Sequence, residues 1–405
     1  MDALFARSFQ QVVTLFAQEL PSEKRRMALF TASRLTLEID TLLKSDVMRP
    51  LSRMAQQGFA PISFHRDMDR TAVPFSETPL GYTRATHCKY VAALNTVIAA
   101  HLNLPQPDTT ALVFAGLLHD VGHVALGHKM EWAFRVIDPA FSHEALGVRR
   151  LADSAVVTEI LQRHEISLTT VKCIIDEQGL LGALQRIADT IAYCFVDLLA
   201  CGFLGHRDEG RLLPIIWQFL CSLRGVMETG VLLVRESSSL SEILTWRALL
   251  YRDNFCALES WRCESGLRQL LGELQQRLLT THFDPSAFES DDACLERLRE
   301  MVGKAPRGEV RRMRAMLELP EQVQHKMLGW RSHEFTSKEA MDAWLACQNS
   351  DMAMRSFSYV RQPTRSLVKE VRVAIGKESR TIGPHLNALL PIQGPAAIAY
   401  EWIGA

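Results

Sequence analysis

"AGLLHDVGHVALGH", residues 115–128, places three histidines and an aspartate within ten positions, directly after an apolar run. The run reads as a buried helix, and His119 with Asp120 stands at its end. Neighbours on a helix point about 100° apart, so both can reach one ion only where the helix stops. Gly122 is consistent with such a stop. A neutral imidazole and a carboxylate are natural ligands of a divalent ion, and two further ligands are available elsewhere. His87, in "YTRATHCKYVAAL", lies near the start of an amphipathic stretch, and Asp189, in "RIADTIAY", sits among apolar residues where an unpartnered carboxylate is costly. Two histidines and two aspartates suit a borderline or hard ion, with Mn, Fe, Ni, Zn and Mg all open. An octahedral ion so held keeps positions for water and a phosphate oxygen, which is a hydrolytic arrangement.

Outward from this stretch, apolar residues at helical spacing dominate: "FARSFQQVVTLFAQEL", "KYVAALNTVIAAHLNL", "ALGVRRLADSAVVTEILQRH", "QRIADTIAYCFVDLLA", "IIWQFLCSLRGVMETGVLLV" and "CLERLREMV" all fit the pattern. The chain is therefore expected to be mainly α. "SLVKEVRVAIG" followed by "ESRTI" alternates and is β-branched, predicting a short β hairpin near the C-terminus of an otherwise helical body. Residues 57–83 have no clear period and read as a long irregular loop of the kind that is often functional.

At 405 residues there is length for a deep core, and the 47% hydrophobic share without a biased tract argues against disorder. A net charge of -1 does not favour a surface adapted to nucleic acid. No segment approaches the roughly 18 uninterrupted apolar residues of a membrane span, and the first residues lack the features of a signal peptide. Nine scattered cysteines without a C-x-x-C pair predict reduced thiols and a cytoplasmic location.

"TRATH", "LLHDVGHVALGH", "FSHEALGVRRL" and "RIADTIAYCFVDL" follow one another in an order that resembles the HD phosphohydrolase superfamily, H…HD…D. The order also resembles that of its deoxynucleoside triphosphate triphosphohydrolase branch, which includes bacterial dGTPases and the animal sterile-alpha-motif/HD dNTPase. "DVMRPLSRMAQQGF", "LLYRDNFCALESWRCESGLRQLL", "ESDDACLERL" and "SLVKEVRVAIG" are similar to further family segments, so the resemblance runs from about 45 to 390. It implies an N-terminal helical extension (1–44), a helical HD core (45–280) and a helical C-terminal lobe (281–405).

Carried over by position, the resemblance implies His87, His119, Asp120 and Asp189 as ligands of one divalent ion per site, with further Mg accompanying the nucleotide. It gives Arg84, His123 and His128 to the triphosphate, His143 to protonation of the leaving oxygen, and Glu131 to the orientation of that histidine. His128 is thereby both a phosphate contact and part of the catalytic group. Tyr193 and Asp197 follow Asp189 at +4 and +8 on one helical face, where the family contacts the sugar, and Gln56 matches a glutamine near the same sugar. The chain departs from the animal enzyme at Thr190, which stands where a phosphate-binding lysine follows the last metal aspartate. Arg247 is a candidate replacement for that charge.

The resemblance implies hydrolysis of a deoxynucleoside triphosphate to the deoxynucleoside and inorganic triphosphate, by a homo-oligomer. Two alternatives use the same residues: a phosphodiesterase or nuclease acting on single-stranded or cyclic nucleotides, and a nucleotide sensor without turnover.

Overall fold

The protein is described by a computed structural model covering residues 5–56, 83–201, 209–252, 258–279, 290–318, 330–348, 356–360, 371–383 and 397–403. The irregular loop expected at 57–83 lies, save for its last residue, outside the described residues.

The fold is mainly helical, as expected. Helices α1 (Phe9–Ala17) and α2 (Ser22–Leu43) precede α3 (Arg84–Leu102), α4 (Gln106–Leu118), α5 (His128–Ile137), α6 (His143–Asp153), α7 (Ala155–Arg163), α8 (Leu168–Ile175) and α9 (Gly179–Cys201). Then come α10 (Glu209–Ser222), α11 (Ser238–Leu250), α12 (Leu258–Leu279), α13 (Asp291–Gly303), α14 (Arg307–Leu317) and α15 (Lys338–Ala346). No helix among the described residues is long and apolar enough to cross a membrane.

The central element is α3. It starts at Thr83, whose hydroxyl accepts from the Thr86 amide, and stops at Asn103 in the left-handed conformation. Between them nearly every side chain is buried, because α1, α2, α4 and α9 pack around it and its many alanines let them come close. A buried polar group on such a helix needs a partner. Asn95 finds two, donating to the Leu112 carbonyl on α4 (3.0 Å) and to Gln185 Oε1 on α9 (2.5 Å). Gly116 leaves room for this junction, since a Cβ there would lie 2.4 Å from Asn95 Nδ2. The junction thus fixes the relative register of α3, α4 and α9, which carry His87, His119 and Asp189.

Two substantial cores result. The larger spans the N-terminal helices, α3, α4 and α9 to α11, and takes in Val371, Val373 and Ile382. The second packs Val124, Ala125, Leu126, Met130 and Phe134 against α12, α13 and α14, with Trp330, Ile398 and Tyr400.

The expected C-terminal hairpin is present: β5 (Val371–Ile375) and β6 (Glu378–Ile382) pair antiparallel around Gly376. It is not isolated. β1 (Leu223–Val226) and β2 (Leu232–Val234) form a second hairpin, and β2 runs parallel to β5, giving the order β1-β2-β5-β6. This corrects the helical reading of "IIWQFLCSLRGVMETGVLLV", whose second half turns at Met227–Gly230. Its apolar residues satisfy both helical spacing and, at Leu232 and Val234, strand alternation, and the two glycines decide for the turn. A second sheet, β3 (Trp330–Phe335), β7 (Ala397–Trp402) and β4 (Ser356–Val360), is antiparallel with β7 central. The continuous pattern read over 145–164 is also two helices, because Ser154 ends α6 and caps α7.

Among the described residues Cys88, Cys173, Cys221, Cys294 and Cys347 are thiols outside any disulfide.

Candidate active site

The last helical residue of α4 is Leu118, so His119 and Asp120 emerge where the helix ends, as their adjacency requires. The His119 Nδ1–H donates to the Gly116 carbonyl (2.9 Å), which orients the ring with Nε2 facing inward. Nε2 lies 3.4 Å from Asp120 Oδ1 and 3.6 Å from Asp189 Oδ1, and His87 Nε2 lies 3.0 Å from that same Asp189 oxygen. Neighbouring ligands held about 2.1 Å from a common ion sit roughly 3.0 Å apart on an octahedron and roughly 3.4 Å apart on a tetrahedron. The donor atoms of His87, His119 and Asp120 all lie within 4.8 Å of one another, a group that could hold one divalent ion, and the Asp189 carboxylate stands against both histidines. His87 Nδ1 has no hydrogen-bond partner among the described residues.

The charges agree with this role. Burial pushes the Asp189 carboxyl up, yet hydrogen bonds from His119 and His87 bring it well below the usual carboxylate range. Asp120 is lowered likewise, burial being outweighed by His119, His123 and Arg84. Burial pulls His119 down, and Asp120, Cys88 and Asp189 together more than reverse this, raising its pKa. His123 is lowered by burial and by Arg84, and stays a neutral imidazole. The Asp189 side chain is 28% exposed, against 3% for His87, so solvent reaches the cluster from the Asp189 side.

Arg84, in the first turn of α3, is buried and pairs with Asp120 Oδ2 at 3.0 Å. Beyond the aspartate the chain turns through residues 120–127 into α5. Here His123, His128 and His143 meet: the His123 and His143 rings stack with centroids 4.2 Å apart, and His128 lies edge-on to both, at 4.8 and 5.1 Å. His123 Nε2 also reaches Asp120 Oδ1 at 3.4 Å, which joins the histidine group to the metal cluster.

Glu131 organises this group. Its buried carboxylate meets His143 Nδ1 (2.9 Å) and His128 Nδ1 (3.2 Å) through Oε2, and accepts from Arg135 through Oε1 (2.7 Å). Those hydrogen bonds overcome burial and hold its pKa well below the ordinary glutamate range. With Nδ1 engaged, His143 presents Nε2 outward, 3.4 Å from the Glu144 carboxylate. The turn is pressed against the start of α6: a Cβ on Gly122 would lie 1.8 Å from the His143 carbonyl oxygen and 2.5 Å from the Gly147 nitrogen. Arg150 closes it by donating to the carbonyls of Val121 (2.8 Å) and His123 (3.3 Å).

Farther along α9, Arg247 Nε donates to the Tyr193 hydroxyl at 2.5 Å, and its guanidinium lies over the Tyr251 ring at 4.2 Å. Asp197 is buried, and Thr190 turns its hydroxyl back to the Arg186 carbonyl. The carbonyl oxygen of the Gln56 side chain is buried without a hydrogen-bond partner among the described residues.

The structure thus gathers His87, His119, Asp120, Asp189, Arg84, His123, His128, Glu131 and His143 into one continuous group, and links Tyr193 to Arg247. Sequence reasoning missed Arg135, Arg150 and Asp291. Arg135 stands at i+4 from Glu131, a spacing that could have found it; the other two act across long sequence separations.

Residues 84–194 match the HD domain family. Among solved structures, a phosphohydrolase from Bacteroides thetaiotaomicron is similar over 92% of this chain and 96% of its own, with 15% identity and a TM-score of 0.59. At that identity the likeness shows the fold. No curated protein matches the sequence.

Proposed function

We propose that this chain hydrolyses deoxynucleoside triphosphates to deoxynucleoside and inorganic triphosphate. The HD domain match and the His/Asp cluster support the coarser reading, a metal-dependent hydrolase. The observation that carries the finer one is the Glu131–His143 pair, held through the histidine Nδ1 at 2.9 Å beside a cluster fit for a divalent ion. A divalent ion in that cluster supplies Lewis acidity toward a phosphate oxygen and an attacking water.

The chain's own residues do the rest. A water oxygen bonds to the α-phosphorus as the bond from phosphorus to the 5′ oxygen breaks, and the water's proton passes to solvent. His143 Nε2–H gives its proton to the departing 5′ oxygen, its ring kept in place by Glu131. Arg84 offsets charge on the triphosphate and His123 and His128 line it, His123 as a neutral hydrogen-bonding ring, while Tyr193 and Asp197 hold the sugar, with Gln56 at its edge and Arg247 bracing Tyr193. Such catalysis rests on positioning and electrostatics.

The same reading includes a cytoplasmic homo-oligomer, with Mg accompanying the nucleotide; light scattering checks the assembly. Incubation with each deoxynucleoside triphosphate and Mn, Fe, Ni, Zn or Mg, followed by product separation, tests the reaction. Equal deoxynucleoside and tripolyphosphate supports it. Monophosphates alone, or nucleotides cut from an oligomer, contradict it in favour of a phosphodiesterase or nuclease. Nucleotide binding without turnover favours a sensor.

A further inference from the structure

Three backbone segments meet behind the histidine group. Met54 and Ala55 lie against Thr83 and Arg84, with an antiparallel bridge between Ala55 and Thr83 and the Arg84 amide donating to the Met54 carbonyl at 3.0 Å. The third segment is the turn 124–127 that delivers His128. The second reaches the third through the Arg84 guanidinium, which lies against Gly127, but among the described residues no backbone hydrogen bond joins the first two to the third. Asp291 bridges them. It opens α13, far along the chain, and is 3% exposed. Its Oδ2 accepts from the Ala55 amide at 2.6 Å, and its Oδ1 accepts from the Leu126 amide at 2.7 Å, across sequence separations of 236 and 165.

We propose that Asp291 is a positioning residue for the triphosphate: by gripping Ala55 and Leu126 at once it sets the distance between Gln56, Arg84 and His128. Its hydrogen-bond partners are these two main-chain amides, and the Arg84 guanidinium is near enough to favour its charged form. Ala55 is the residue before Gln56, and Leu126 is followed by Gly127 and His128, so a shift of either amide moves the side chains that face the phosphates and sugar. Both acceptors are used, and both belong to one small rigid group, so the two segments cannot move independently while the carboxylate is in place. The geometry also makes the site depend on α13, an element outside residues 84–194. A buried carboxylate is costly unless something needs it. Here two main-chain donors need it, and an asparagine offers only one oxygen, turning its amide group toward the second donor. The inference rests on the triphosphate reading of the site.

The test compares the full-length wild type with Asp291→Asn, and with Asp292→Asn, an exposed neighbour with the same change of charge. Site-resolved amide exchange, affinity for Mn alone, affinity for inorganic tripolyphosphate and the nucleotide KM and kcat are measured. For Asp291→Asn the exchange protection at Ala55 and Leu126 falls about tenfold, as expected for a lost charge-assisted hydrogen bond. Tripolyphosphate affinity falls and nucleotide KM rises by roughly the same factor, while kcat and Mn affinity stay within about twofold. Asp292→Asn leaves all of these unchanged. Unchanged protection at both amides overturns the inference, and so does a joint collapse of Mn affinity, kcat and melting temperature, which a merely structural role produces. If the wild type turns over no nucleotide, the proposed function fails, and the exchange and tripolyphosphate measurements still decide on Asp291.

Discussion

The metal cluster and the histidine group lie side by side, and they are built in opposite ways. His87, His119 and Asp189 stand on helices whose register is fixed by the Asn95–Gln185 junction inside the larger core. His123 and His128 stand on a turn whose apolar residues, Val124 to Leu126, belong to the second core and pack on α12 to α14. The ion-binding half is therefore placed by helix packing inside the larger core, and the histidine turn beside it by packing on α12 to α14. Holding a metal and using it should be separable.

Asp120→Ala is the harshest way to break that division, because it removes a ligand and leaves Arg84 buried without its carboxylate partner at 3.0 Å. Divalent affinity should fall below detection in titration calorimetry and turnover by about 10⁴-fold. Gly122→Ala strikes the seam between the halves. Its Cβ has no room against the His143 carbonyl oxygen at 1.8 Å, so denaturant unfolding should show a loss of about 3 kcal/mol. Metal affinity at the surviving folded protein should change little.

Glu131→Gln sharpens the comparison most cleanly. It keeps the volume and removes the charge that orients His143 and His128. Turnover should drop by roughly 100-fold with divalent affinity unchanged; equal losses in both would show that the halves are not separable.

The smallest effect concerns acidity. Burial pushes the Asp291 carboxyl up to about 6, so between about pH 4 and 6 the folded chain holds a proton that the unfolded chain has lost. Stability from this group is thus fully present at low pH and declines as pH rises through 6. Relative to Asp291→Asn, the wild type should lose about 1 kcal/mol between pH 5 and 7, read from unfolding midpoints. A relative gain over that range would contradict the raised pKa.

The same contrast explains what the sequence disclosed. His119 and Asp120 were legible because a buried helix ending in a charged pair is a local pattern, and Asp189 because a carboxylate in an apolar helix asks for a partner. Arg84, His143 and Glu131 were legible through the order of motifs rather than through spacing, since nothing local brings residue 131 to residue 143. Asp291 stood only within "ESDDACLERL", a segment similar to the family to which no role was given. Its two partners are fixed by the docking of α13, which no window of sequence contains. The β1–β2 hairpin was misread for a related reason: its strands are short, and their place is settled by pairing with β5 from the far end of the chain.

The most direct test of the function is turnover in ¹⁸O-labelled water, with mass spectrometry of both products. Attack at the α-phosphorus predicts one labelled oxygen in the tripolyphosphate and none in the deoxynucleoside. Label on the deoxynucleoside 5′-hydroxyl, or in orthophosphate or a monophosphate with no tripolyphosphate formed, would contradict the account.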